Sequence, residues 1–143
     1  MFHIRLPSAP DDFALLAPLD PNKELGDYRC NDADIQFFFC KNCGVRCFLF
    51  IGDGEVGIRK DIPGHEGEDV SVWMPKRETW FEYKRSDEGK RRTYLSVNAL
   101  TLDAGQEGLD LRQWAEEKRI SYLDALKFEG SDRFDKPHDG GTY

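Results

Sequence analysis

The chain has 143 residues, a formal net charge of −7 and an isoelectric point near 5.0, with 39% hydrophobic and 33% charged residues. That length suits one domain with its own core, and the acidic balance argues against a nucleic-acid partner, whose phosphates select a basic face. No apolar run approaches the ~20 residues of a membrane span, and Met1-Phe2-His3-Ile4-Arg5 does not begin a signal peptide, so the expectation is a cytoplasmic protein without a membrane partner.

Residues 1–24 read as a proline-rich N-terminal segment, with Pro7, Pro10, Pro18 and Pro21 around the apolar run Phe13-Ala14-Leu15-Leu16. Proline removes a ladder donor, so this run is predicted as an edge strand between loops. Strands are predicted over 25–30 and 35–39, joined by the polar turn Asn31-Asp32-Ala33-Asp34. Phe37, Phe38 and Phe39 then lead into Cys40-Lys41-Asn42-Cys43-Gly44, and Val45, Cys47, Leu49 and Ile51 leave it at period two. That pattern predicts a β-hairpin.

The tip of this hairpin carries the chemistry. A Cys-x-x-Cys pair followed by glycine aims two thiolates at one point while backbone N–H groups offset their charge, which is the arrangement of a zinc knuckle. Gly44 suits such a turn because it can take a positive φ. Structural zinc takes four protein ligands, and Cys40 and Cys43 supply two. Cys30, in a turn-like setting, can swing toward the site. Cys47 alternates with Val45 and Leu49 and reads first as a small hydrophobe of the core. In a reducing compartment four closely spaced cysteines favour metal or free thiol over disulfide; in a secreted chain they could pair as two disulfides.

Beyond the hairpin, residues 52–67 are rich in glycine and read as hairpin and loop. Gly52-Asp53-Gly54 lacks the lysine and helix of a phosphate loop, and His65, flanked by Glu66 and Glu68, reads as solvated. Strands are predicted over 70–73, 79–83 and 93–102. In the last, Tyr94, Ser96 and Asn98 share one face against Leu95 and Val97, so Asn98 either faces a cleft or satisfies a neighbouring strand's backbone. The basic cluster Lys84, Arg85, Lys90, Arg91 and Arg92 reads as a solvated hairpin end. Asp110 is placed to cap a helix over 111–118, the one helix the pattern supports. A final strand over 120–123 precedes a loose tail over 129–143, leaving 25–128 as the main domain.

Phe39-Cys40-Lys41-Asn42-Cys43-Gly44-Val45-Arg46-Cys47-Phe48 resembles the last cysteine pair of the glutathione-dependent formaldehyde-activating enzyme family, which also contains centromere protein V. Residues 94–100 and 120–126 resemble late strands of its fungal members. The resemblance implies a mainly β fold, an antiparallel β-sandwich of the β-tent type, with a structural four-cysteine zinc site and a three-cysteine catalytic one. Cys40 and Cys43 carry over as half of the structural site. The family's earlier cysteine motifs have no counterparts, so by this comparison the chain looks incomplete at its N-terminus.

Two functions follow as expectations. By resemblance the chain is a zinc-dependent carbon–sulfur lyase that combines glutathione and formaldehyde into S-hydroxymethylglutathione, impaired because a catalytic zinc needs three protein ligands and an open position. The alternative is a non-catalytic zinc-stabilised β module for binding or dimerisation, in which two copies pool Cys40 and Cys43 into one four-thiolate site. His3, His65 and His138 fall in loop or terminal segments and mark no nucleophilic site.

Overall fold

Aromatic residues at alternate positions need one covered face, and three strands supply it: β3 (Gln36–Phe39), β4 (Arg46–Ile51) and β7 (Tyr94–Asn98). The computed structural model describes residues 3–29, 33–81, 93–103 and 105–120, with the backbone of 123–124 and 141–142. Among these the chain is mainly β. β1 (His3–Arg5) and β2 (Gly26–Tyr28) form the edges of a five-stranded antiparallel sheet in the order β1-β7-β4-β3-β2.

Register builds the core. Phe38 lies opposite Phe48, Phe48 opposite Val97 and Phe50 opposite Leu95, so these side chains share one face. Onto that face packs Trp73 of β6 (Val70–Pro75), with its ring centroid 5.9 Å from Phe48 and 5.1 Å from Phe50. Phe13 closes the group at 5.2 Å from Phe48. Burying each such side chain is worth about 1.5–3 kcal/mol, and each ring pair adds about 0.5–1.5 kcal/mol.

Three expectations change and one gains its bounds. The glycine-rich stretch predicted as hairpin and loop contains β5 (Gly54–Arg59), which pairs antiparallel with β6. The glycines here are pits, because a Cβ on Gly54 would sit 2.1 Å from the Trp73 ring and one on Gly57 would sit 2.5 Å from the Met74 methyl. The predicted edge strand at 13–16 reduces to one bridge: Leu15 and Trp73 exchange N–H···O bonds of 2.8 and 2.9 Å. The edge strand of this segment is β1.

The N-terminal prolines start helices instead of bounding strands. Pro10 lies in the first turn of α1 (Ala9–Asp12) and Pro21 opens α2 (Pro21–Glu24), where a missing N–H costs nothing. The one-helix expectation is therefore corrected.

The strand predicted at 79–83 is a 3₁₀ turn, Arg77–Thr79, followed by Trp80 and Phe81; residues 82–83 lie outside the described set. The Trp80 indole N–H donates to the Pro7 carbonyl at 3.1 Å, and the Phe81 N–H donates to Thr93 Oγ1 at 2.8 Å while that hydroxyl donates back to the Phe81 carbonyl. A threonine side chain thus takes the backbone groups that a ladder would have used.

Residues 3–99 form one compact unit, and the described residues from Leu100 onward belong to another. The first unit differs from the predicted 25–128 domain because β1 and Leu15 pair into it. In the second unit, Asp110 caps α3 (Leu111–Glu116) as predicted, its carboxylate accepting from the N–H groups of Arg112 at 2.9 Å and Gln113 at 3.2 Å. Farther on, β8 (Leu123–Asp124) pairs with β9 (Gly141–Thr142). The rest of the predicted tail and the basic cluster at 84–92 lie outside the described residues. No described helix is long and apolar enough to cross a membrane.

Candidate thiolate site at the β3–β4 turn

The turn between β3 and β4 is closed by backbone bonds at both levels. The Cys40 N–H donates to the Val45 carbonyl at 2.9 Å, and the Gly44 N–H donates to the Cys40 carbonyl at 2.8 Å. Gly44 has φ +74°, and a Cβ there would meet nothing within 4 Å, so backbone conformation and not space selects glycine. The turn is also tied down from outside. Lys41 Nζ donates to the Lys23 carbonyl of α2 at 2.7 Å, and Gln36 Nε2 reaches Asn22 Oδ1 at 3.1 Å.

The closed turn points N–H groups at sulfur. Backbone N–H groups of Cys43 and Asn42, together with the Cys43 thiol, act on the Cys40 sulfur and hold its thiol below the ordinary range. Cys43 is exposed and Cys40 half-buried, so both can be reached from solvent. A thiol of lowered pKa at an accessible turn is a ready metal ligand or nucleophile.

Cys47 comes into the same place through an irregularity in the ladder. Phe38 faces Phe48 but Phe39 faces Arg46, so Cys47 is the extra residue of a bulge, a device that re-aims side chains. It is half-buried against the core cluster. Burial pushes its thiol up, and the nearby Cys40 and Cys43 add to that rise while the Cys40 N–H opposes it. The site therefore pairs one thiol whose pKa is lowered with one whose pKa is raised. Cys30, the fourth cysteine, lies outside the described residues.

Zinc suits part of this donor set. Cys40 and Cys43 would hold the ion, and two thiolates are half of a closed structural site. Among the described residues, no group of three or more His, Cys, Asp or Glu side chains is placed to share a metal ion. A complete site therefore requires donors beyond those described.

The other residues singled out by sequence lie apart from the turn or serve the scaffold. Asn98 donates from Nδ2 to the Arg46 carbonyl at 2.9 Å, so of its two predicted roles it takes the neighbouring strand's backbone, just where the bulge ends the ladder. His65 sits in an exposed loop with Nδ1 3.1 Å from Glu68 Oε2. His3 lies on β1, 3.5 Å from Ser96 Oγ, with its pKa lowered by burial first and by nearby positive charge. His138 lies outside the described residues.

A second concavity escaped the sequence reading. A cleft of about 270 Å³ is lined by Arg59, Arg77, Asp11, Asp61, Glu55 and Met74 among others, slightly below the usual ligand-pocket range. Arg59 bonds Asp61 and donates to the carbonyls of Pro10 at 3.2 Å and Asp11 at 2.9 Å, while Arg77 bonds Asp11. These guanidinium donors are used to clamp α1 to the β5–β6 hairpin. Apart from Asp61, two positions from Arg59, their partners Pro10 and Asp11 lie far away in the chain, so no local motif announces the clamp. Searches of protein-family models, curated proteins and solved structures find no match to the chain.

Proposed function

We propose that the chain is a non-catalytic, zinc-stabilised β module of the glutathione-dependent formaldehyde-activating type, a sandwich in which the β3–β4 hairpin is the zinc knuckle. Cys40 and Cys43 are its ligands, the remaining donors, Cys30 among them, come from outside the described residues, and a reducing compartment such as the cytoplasm keeps them as thiols. The observation that carries the reading is the closed turn in which the N–H groups of Cys43 and Asn42 act on the Cys40 sulfur. That arrangement favours the thiolate form that zinc binds.

Metal analysis by native mass spectrometry tests it, on reduced, zinc-supplemented chain beside the Cys40→Ser/Cys43→Ser variant. Zinc bound to the wild-type chain and absent from the variant is the expected result; a zinc-free wild-type chain overturns the reading.

A second reading, carbon–sulfur lyase action on glutathione and formaldehyde, is favoured by one feature: the exposed Cys43 beside half-buried Cys40 leaves thiolates open to an incoming thiol and aldehyde. Faster S-hydroxymethylglutathione formation with the chain than without it, lost in the double variant, would replace the first reading with this one.

A further inference from the structure

β5 is an edge strand. Its ladder runs to β6, and among the described residues nothing pairs with its other side. A row of open N–H and C=O groups is a template for another strand, and proteins normally guard such edges with lysine, proline or a bulge. β5 has no lysine, proline or bulge, since its six register pairs with β6 run without a shift, and its two charges, Glu55 and Arg59, line the cleft. It instead displays Val56 and Ile58, two positions apart on one face, at 56% and 55% exposure.

The composition of β5 indicates what covers this edge. Gly54-Glu55-Val56-Gly57-Ile58-Arg59 is complementary to itself when reversed about Gly57. Antiparallel pairing centred there sets Glu55 opposite Arg59 of the second copy, Val56 opposite Ile58, and Gly57 opposite Gly57. A parallel pairing in register would set Glu55 against Glu55 and Arg59 against Arg59, and like charges directly opposite are destabilising. Two-fold antiparallel pairing is also the isologous, closed arrangement, so it ends at a dimer instead of a fibre.

We propose that two copies of this chain associate through β5, antiparallel and centred on Gly57, joining their β5–β6 hairpins into one four-stranded sheet. On one side of the joint, Val56 and Ile58 of both copies form a continuous apolar patch. On the other, the second copy's Glu55 approaches the Arg59 and Arg77 side of the cleft, where Glu55 and Arg59 of the same chain already lie. Gly57, without a side chain, lets the backbones meet at the axis. The pairing is independent of the zinc reading, because β5 contains no thiol.

Sedimentation equilibrium combined with cysteine crosslinking tests the proposal. The wild-type chain is expected to dimerise reversibly, and Ile58→Lys, at an exposed position that leaves the core intact, is expected to shift it to monomer with an unchanged circular dichroism spectrum. Cys40→Ser/Cys43→Ser is expected to dimerise as the wild type does. Oxidation by glutathione disulfide is expected to link a Val56→Cys chain to an Ile58→Cys chain, identified by peptide mass. Neither variant should link to itself, since like positions sit on the diagonal, about 7–8 Å apart and beyond disulfide reach. A wild-type chain that stays monomeric up to about 1 mM, the weak end of specific association, overturns the proposal, and leaves the edge to a foreign strand. A dimer that survives Ile58→Lys, or that links position 56 to position 56, overturns it equally.

Discussion

The two hairpins of the larger unit use glycine and aromatic residues in opposite ways. The β3–β4 hairpin carries its aromatics on its own strands, with Phe38 and Phe48 at 4.8 Å, and keeps Gly44 for the turn, where φ is +74°. The β5–β6 hairpin has one large ring, Trp73, and places Gly54 and Gly57 inside a strand to make room for the side chains lying across them. A glycine therefore breaks structure or receives a neighbour depending on a partner distant in sequence.

The largest expected effect comes from removing the ring on which the second hairpin depends. Trp73→Ala takes a buried indole from between Phe48, Phe50 and Phe13, and such truncations cost about 3–5 kcal/mol. Urea unfolding followed by circular dichroism measures it. A loss well under that range would mean the hairpin holds to the sheet by other contacts.

Filling the pit is next. Gly54→Ala places a methyl against the Trp73 ring and is expected to cost about 1–3 kcal/mol, the usual range for overpacking. Combining it with Trp73→Phe should recover part of that loss relative to the single variants, because the smaller ring vacates the space. Additive losses in the double-mutant cycle would show that the two sites do not touch.

Gly44→Ala is the contrasting substitution, expected to cost about 1 kcal/mol through positive φ with no steric contact. Changes in Trp73 should leave that cost unaltered. Asn98→Ala, which leaves the Arg46 carbonyl beside the bulge without its donor, is expected to cost about 1–3 kcal/mol. Its further signature would be faster amide exchange in β4 near Cys47.

The smallest effect is electrostatic and belongs to the clamp on the second hairpin. Arg59 beside Asp61 lowers the carboxyl pKa from 3.8 to about 2. The folded state thus favours the carboxylate, and this contribution is present above pH 3.8 and is lost as pH falls toward about 2. Stability measured across that window should fall less steeply for Asp61→Asn than for the wild type, while Gln36→Ala, in the first hairpin, should leave the slope unchanged. Equal slopes for wild type and Asp61→Asn would remove the ion pair from the account.

Much of the first hairpin was legible because its information is local. Alternation from Phe37 to Ile51 places the strands, and Cys40-Lys41-Asn42-Cys43-Gly44 names both the turn and its thiols. Asp110 is a similar case, since a cap acts within its own first turn. Even here one element was hidden: the bulge that brings Cys47 toward Cys40 and Cys43 interrupts the alternation, and a period-two pattern has no means of showing an extra residue. The second hairpin was legible only coarsely, with no bounds for β5, because glycine content is a local signal and the rings that explain it are not local. The run at 79–83 looked like a strand for the converse reason, its aromatic content being local and the Pro7 carbonyl and Thr93 hydroxyl that hold it being remote.

The sequence by itself determined the mainly β character, the thiol-bearing turn with its required glycine, the two faces of β7 and the α3 cap. Each of these depends on residues within a few positions of one another, where backbone geometry sets which side chains meet. Tertiary structure decided the rest: that β1 and not the 13–16 run is the edge of the sheet, where β5 begins and ends and that it lies open along one side, and that Asn98 serves the neighbouring backbone. In these cases the partner groups, Ser96 for Arg5, Trp73 for Gly54 and Arg46 for Asn98, come together only after distant segments pack, because hydrogen-bond and van der Waals energies depend on separation in space and not on separation along the chain.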